Sequence, residues 1–222
     1  MRELTVLRVF VGEDGRAGNP LGVFLDGPAV PAGRRQAIAA ELGYSETVFV
    51  DDARGAVGIY TPAQQLPFAG HPLVGVSWLL AREGRAVDEL RPPAGAVATW
   101  DAEGATWIRG DPAWSPEMDL LEYPTPAGID ALDGAPQDSG FAYCWAWVDE
   151  RAGIVRARAF APSVGVPEDE ATGAAVVRLV AALDRPITVR QGVGSVIHAR
   201  PGPAGTAEVG GAVTLVERRA HP

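Results

Sequence analysis

The 222-residue chain contains no lysine, and all 19 of its basic residues are arginine. That absence excludes a pyridoxal-phosphate Schiff base, a lysine nucleophile and the phosphate-cradling G-x-x-x-x-G-K-[ST] loop. Cysteine is almost missing too. Cys144 stands alone, so one chain can form no disulfide, no cysteine zinc site and no two-thiol racemase site. The histidines His71, His198 and His221 are scattered without an H-x-x-x-H spacing, and nothing in the sequence supports a metal or an organic cofactor. Neither G-x-S-x-G nor G-x-G-x-x-G occurs between a strand and a helix. No run of about 18 apolar residues suggests a membrane helix. The opening MRELTVLRVFVGEDG lacks the basic-then-apolar order of a signal peptide, so a cytoplasmic protein is expected. A net charge of -9 without a basic patch argues against nucleic acid as a partner.

What is present is organised around Gly58–Glu83, GIYTPAQQLPFAGHPLVGVSWLLARE. It reads as a strand, a connector punctuated by Pro62 and Pro67, and a helix. Proline is welcome at the first helical position, which puts Pro72 there and His71 at the N-cap. Leu73–Ala81 carries no charge, so the helix should be buried on every side. A helix start beside a Gly-His pair offers free amides to an anion, with a proton donor nearby.

The second half repeats this order. AGHPLVGVSWLL and TGAAVVRLVAAL align with Gly70 opposite Gly173. Each half should wrap a mixed sheet around its buried helix, since only that covers a helix apolar on all faces. An α+β fold of two pseudo-symmetric lobes follows: residues 1–110, a proline-rich linker at 111–140, and residues 141–222. Two helix N-termini aimed into one cleft would bind a small carboxylate.

Several residues have a functional and a structural reading. Glu46 shares a strand face with Val48 and Val50, where desolvation would raise its pKa and suit it to proton transfer; it could also fray toward water. His71 could cap its helix or, with a pKa near neutrality, act on a substrate. Asp169, in EDEA, suits a helix start electrostatically whatever its function. Asn19 could be a turn residue or a ligand, and Gln191-Gly192 could line the cleft or mark a bulge. The stripe Phe141, Tyr143, Trp145 and Trp147 reads as sheet packing or as part of a homodimer interface. His198 reads as structural and His221 as a loose tail.

The ordered motifs GNPLGVF (18–24), YSETVFV (44–50), IYTPAQQLPFAGHPLVG (59–75), EDEATGAAVV (168–177), RQG (190–192) and VGGAV (209–213) resemble the PhzF-like family of phenazine-biosynthesis isomerases. The resemblance runs end to end, with a shorter middle and C-terminal part. It implies the diaminopimelate-epimerase fold and a cofactor-free proton shift on a small carboxylate. By motif, Glu46 corresponds to the proton-shuttling glutamate, Gly70 and His71 to the Gly-His pair, and Asp169 to the aspartate before the second helix. Gly173 matches the glycine whose amide faces substrate, with Ala174, Asn19 and Gln191 as further binding candidates. Ala174 replaces a serine common in the family, Gln65 a common glutamate, and Ala69 a cysteine of some members. A lyase, a cysteine-free racemase and a non-catalytic carboxylate-binding protein are the competing expectations.

Overall fold

The computed structural model describes residues 2–136 and 139–222. The first half runs β1 (Arg2–Val11), β2 (Asn19–Phe24), α1 (Ala32–Leu42), β3 (Glu46–Val50), β4 (Val57–Tyr60), β5 (Gln65–Leu66), α2 (Gly70–Arg82), β6 (Glu89–Leu90), β7 (Val97–Ala102) and β8 (Ala105–Gly110). The second half runs β9 (Asp119–Glu122), α3 (Pro126–Asp130), β10 (Ala142–Asp149), β11 (Ile154–Ala161), β12 (Val166–Asp169), α4 (Gly173–Leu183), β13 (Ile187–Gln191), β14 (Ser195–Pro201) and β15 (Ala207–His221). Helix α1 stops at Gly43, which takes the left-handed conformation that glycine reaches without a Cβ penalty.

The repeat is closer than the sequence suggested. In the first half β2 pairs parallel with β3 across α1, β4 pairs antiparallel with β5, and β7–β8 form a hairpin after α2. In the second half β9 pairs parallel with β10 across α3, β11 pairs antiparallel with β12, and β13–β14 form a hairpin after α4. Residues 111–140, expected as a linker, therefore carry the counterpart of β2 and α1. Their prolines open short helical turns at Pro112 and Pro126 rather than marking an unstructured joint. The long β15 belongs to both sheets: Ala207–Gly211 pairs with β8, and residues 212–221 pair with β1.

Each sheet curls around one helix. In α2 every residue from Gly70 to Ser77 is buried, and in α4 every residue from Gly173 to Val177 is buried. These all-round apolar surfaces, covered by sheet on all sides, form the main core with Leu7, Val48, Tyr143 and Val189. Two expectations change. Helix α2 begins two residues earlier than expected, with Ala69 at the N-cap and Gly70 as its first residue, so His71 and Pro72 lie within the first turn. Proline is tolerated throughout that turn because its missing N–H would have no intrahelical partner. Tyr143 and Trp145 are buried in the main core, as the sheet-packing reading of the aromatic stripe expects. His221 ends β15 with its ring edge-on to Phe24, 5.5 Å between centroids, and is buried rather than loose. Among the described residues, no helix is long and apolar enough to cross a membrane.

Candidate active site

The two helix starts meet backbone to backbone. A Cβ built on Gly70 would lie 2.8 Å from the Gly173 Cα, and one on Gly173 would lie 3.0 Å from the Gly70 Cα and the His71 amide nitrogen. Only glycine permits that approach. It places the first-turn amides of both helices, which have no intrahelical acceptors, side by side. Both helix dipoles therefore present their positive ends at the same point, a setting suited to an anion.

Beside this junction lies a cavity of about 240 Å³ whose lining includes Glu46, Asp169, Ser45, Thr172 and Ala174. Glu46 is the first residue of β3, and the parallel register sets it against Leu21 of β2. The same pairing brings Asn19, at the start of β2, under Ser45 and toward Asp169. Asn19 is buried. Its amide donates to Asp169 Oδ1 at 2.7 Å and to the Ala171 carbonyl at 2.9 Å, while its oxygen accepts from the Ser45 hydroxyl at 2.9 Å.

Asp169 closes β12 opposite Ala159. It accepts at Oδ2 from the Thr172 hydroxyl at 2.6 Å. Burial raises its carboxyl to about 6, with the Thr172 and Asn19 hydrogen bonds working against the rise. Glu46 is raised further, to about 8, by burial first and then by the Asp169 charge, with the Ser45 hydroxyl opposing. Its Oε2 lies 3.1 Å from His71 Nε2, and neither atom has an aligned hydrogen bond. Burial pushes His71 down to about 3, only partly offset by the Pro20 backbone. The expectation of a near-neutral histidine therefore fails, because its ring is 3% exposed and desolvation disfavours the cation. At neutral pH the pair is a protonated glutamate beside a neutral imidazole.

The structure thus brings Glu46, Asp169 and Ala174 to the cavity wall. His71, Gly70 and Gly173 stand directly behind it. Gln191 is fully buried and away from the wall, and the turn expectation for Asn19 gives way to its role as a strut. Gln191 Oε1 accepts from the Tyr143 hydroxyl at 3.0 Å and the Thr172 amide at 3.1 Å. Its Nε2 donates to the Asp169 carbonyl at 2.9 Å and the Thr172 hydroxyl at 2.8 Å. It fixes the turn that carries Asp169. Of the flanking acids, Glu168 pairs with Arg158, and Glu170 accepts from the Val193 amide and the Ser195 hydroxyl. That separates Asp169 from its neighbours on physical grounds, where the sequence had only the motif to do so.

Sequence reasoning missed Ser45, Thr172 and Tyr143, and it missed the apolar wall of Phe68, Trp114, Pro116 and Phe141. Ser45 and Phe68 sit inside motifs already singled out; Trp114 gave no signal beyond its rarity. Among the described residues, no three His, Cys, Asp or Glu side chains cluster as metal ligands would.

The chain is similar in sequence and fold to known proteins. Residues 8–106 match the family described as phenazine biosynthesis-like protein. A trans-2,3-dihydro-3-hydroxyanthranilate isomerase of Pseudomonas fluorescens is 31% identical over 231 residues, 79% of this chain and 81% of that protein. A PhzF-family phenazine biosynthesis protein of Enterococcus faecalis superposes with a TM-score of 0.74 at 18% identity, covering 98% of this chain and 97% of that one. A hydroxyproline epimerase of Agrobacterium vitis superposes with a TM-score of 0.65 at 13% identity, covering 99% and 93%. These neighbours share the diaminopimelate-epimerase-like fold that the paired half-repeats describe.

Proposed function

Since this chain belongs to the phenazine biosynthesis-like family and is an isomerase, we propose that it moves one proton between two carbons of a small carboxylate, using Glu46 and no cofactor. The observation that carries the reading is the pairing of Glu46 with Asp169 in one cavity beside two converging helix N-termini. The amides of Gly70, His71, Gly173 and Ala174 hold the substrate carboxylate. The Glu46 carboxylate takes a proton from a carbon of the bound ligand and becomes the acid. It then delivers a proton, exchanged in part with solvent while it sits on the carboxyl, to a second carbon as the ligand's double bond relocates, and the carboxylate is restored.

The raised carboxyl makes Glu46 a stronger base once ionised, and it keeps the two protonation states close in energy. His71 packs against the Glu46 carboxyl and shields it from water. Asp169, fixed by Asn19, Thr172 and the Gln191 scaffold, orients the substrate. Ala174 contributes its amide alone, since it lacks the hydroxyl that a serine would add. The substrate is a small cyclic or amino-acid-derived carboxylate. The Pseudomonas fluorescens relative is named for a compound of that kind, trans-2,3-dihydro-3-hydroxyanthranilate.

A second reading has one observation in its favour. Both carboxylates face the same cavity with raised pKa values, which also suits inversion at a single carbon by one acid and one base. Incubation in deuterated water followed by NMR tests both. The ligands are trans-2,3-dihydro-3-hydroxyanthranilate and a panel of cyclic amino and hydroxy acids, with wild type and Glu46→Gln. Label at a new carbon with wild type alone supports the proton shift. Label at one carbon with loss of optical activity supports inversion. Equal label with both proteins removes Glu46 from the chemistry.

A further inference from the structure

The wall facing the two carboxylates is built from Leu66, Pro67, Phe68, Trp114, Pro116 and Phe141. Among the described residues, no arginine lines the cavity. We infer that Trp114, set against Phe68, is a specificity-determining residue that selects a monocarboxylate carrying an uncharged ring. The inference rests on reading this cavity as the substrate site.

Trp114 is held in place on three sides. It ends a short helical turn, Pro112–Trp114, whose cap Asp111 accepts from the Ala113 amide at 2.9 Å. Its indole lies on Gly95, where a Cβ would approach Cζ2 to 3.1 Å and where the backbone φ of 148° already disfavours any other residue. Its ring centroid is 6.0 Å from that of Phe68, at an angle of 56°. Phe68 is itself seated on Gly110, where a Cβ would fall 2.7 Å from its Cζ. The two rings form a fixed corner.

Shape, charge and volume agree on the ligand. An apolar cavity of roughly 150 Å³ accepts a benzene ring, so about 240 Å³ holds a six-membered ring with its carboxylate. The carboxylate belongs at the helix starts. The ring then meets faces and edges of Trp114 and Phe68, which favour stacked or edge-on neighbours over flexible chains. A second carboxylate would have no arginine to pair with and would face Asp169 in a buried cavity, so dicarboxylates are rejected.

Calorimetric titration with benzoate, butyrate and glutarate tests this on wild type, Trp114→Ala, Trp114→Phe and Glu46→Gln, after circular dichroism confirms folding. Wild type should bind benzoate about tenfold more tightly than butyrate, with glutarate weaker than both. Trp114→Ala should lose that preference while keeping butyrate affinity within about twofold, and Trp114→Phe should keep most of it. Equal binding of benzoate and butyrate by wild type, tighter binding of glutarate, equal weakening of all ligands by Trp114→Ala, or no binding of any probe would overturn the inference. Glu46→Gln should bind benzoate like wild type. Ring selectivity without isotope exchange would therefore sink the proton-shift reading and leave this one standing.

Discussion

Glu46 Oε2 and His71 Nε2 lie 3.1 Å apart, buried and without an aligned hydrogen bond for either. Unpartnered buried polar atoms are costly, so their retention in a core this apolar calls for a reason. Proton transfer is such a reason. A group that must gain and lose a proton within one catalytic cycle needs its two protonation states close in energy, which a loosely held partner allows. Glu46→Gln preserves shape and burial and removes the titrating group. It should reduce the isotope-exchange rate by about 10²–10⁴-fold while leaving ligand binding close to wild type.

The pH dependence of exchange follows from the same pair. Only ionised Glu46 can remove a proton from carbon, and its carboxyl is raised to about 8. The exchange kcat/KM should therefore rise tenfold per pH unit below that value and level off above it. A rate already flat from pH 5 upward would place the base elsewhere.

Stability should run the opposite way. Between the ordinary carboxyl value of 4.5 and about 8, the folded protein holds the Glu46 proton and the unfolded chain does not, so stability falls as pH rises through that window. His71 acts in reverse, with a folded value of about 3 against 6.5, and its effect is complete above pH 6.5. From pH 6.5 to 8.5, thermal melts of wild type should shift downward relative to Glu46→Gln. The gap in stability should reach on the order of a few kcal/mol. Parallel melting curves would contradict the burial of the charge.

The contact between Gly70 and Gly173 leaves no room for a side chain. Gly70→Ala and Gly173→Ala should each cost about 1–3 kcal/mol in chemical denaturation by forcing the helix starts apart. Each should also weaken carboxylate binding. The double variant should cost less than the sum, because both substitutions open the same joint.

Gln191→Leu strands the Tyr143 hydroxyl and the Thr172 amide, both of which the side chain now accepts from. A loss of about 2 kcal/mol or more is expected in urea titration. Adding Tyr143→Phe removes one of the stranded groups and should restore part of that loss. A double variant no better than the single would show that the hydroxyl had found another partner.

The sequence by itself determined a good deal. The charge-free stretch Leu73–Ala81 and the helix Thr172–Leu183, charged only at Arg178, required two sheets wrapped around two buried helices, because a helix apolar on nearly all faces has no other way to avoid water. The alternation from Glu46 to Val50 already put a carboxylate on the core side of its strand, and the motifs named Asp169, Gly70 and Gly173. Tertiary structure decided the rest. Glu168, Asp169 and Glu170 are alike in local chemistry, and the physical difference behind the motif's choice of the middle one is strand pairing and the reach of Asn19, 150 residues away. The pKa of His71 depends on desolvation by residues distant in sequence, so no local pattern could reveal its fall to about 3. Trp114 likewise lies in a proline-rich stretch with no periodicity. Its role arises from where the fold sets that turn, against Gly95 and Phe68 at the mouth of two helices.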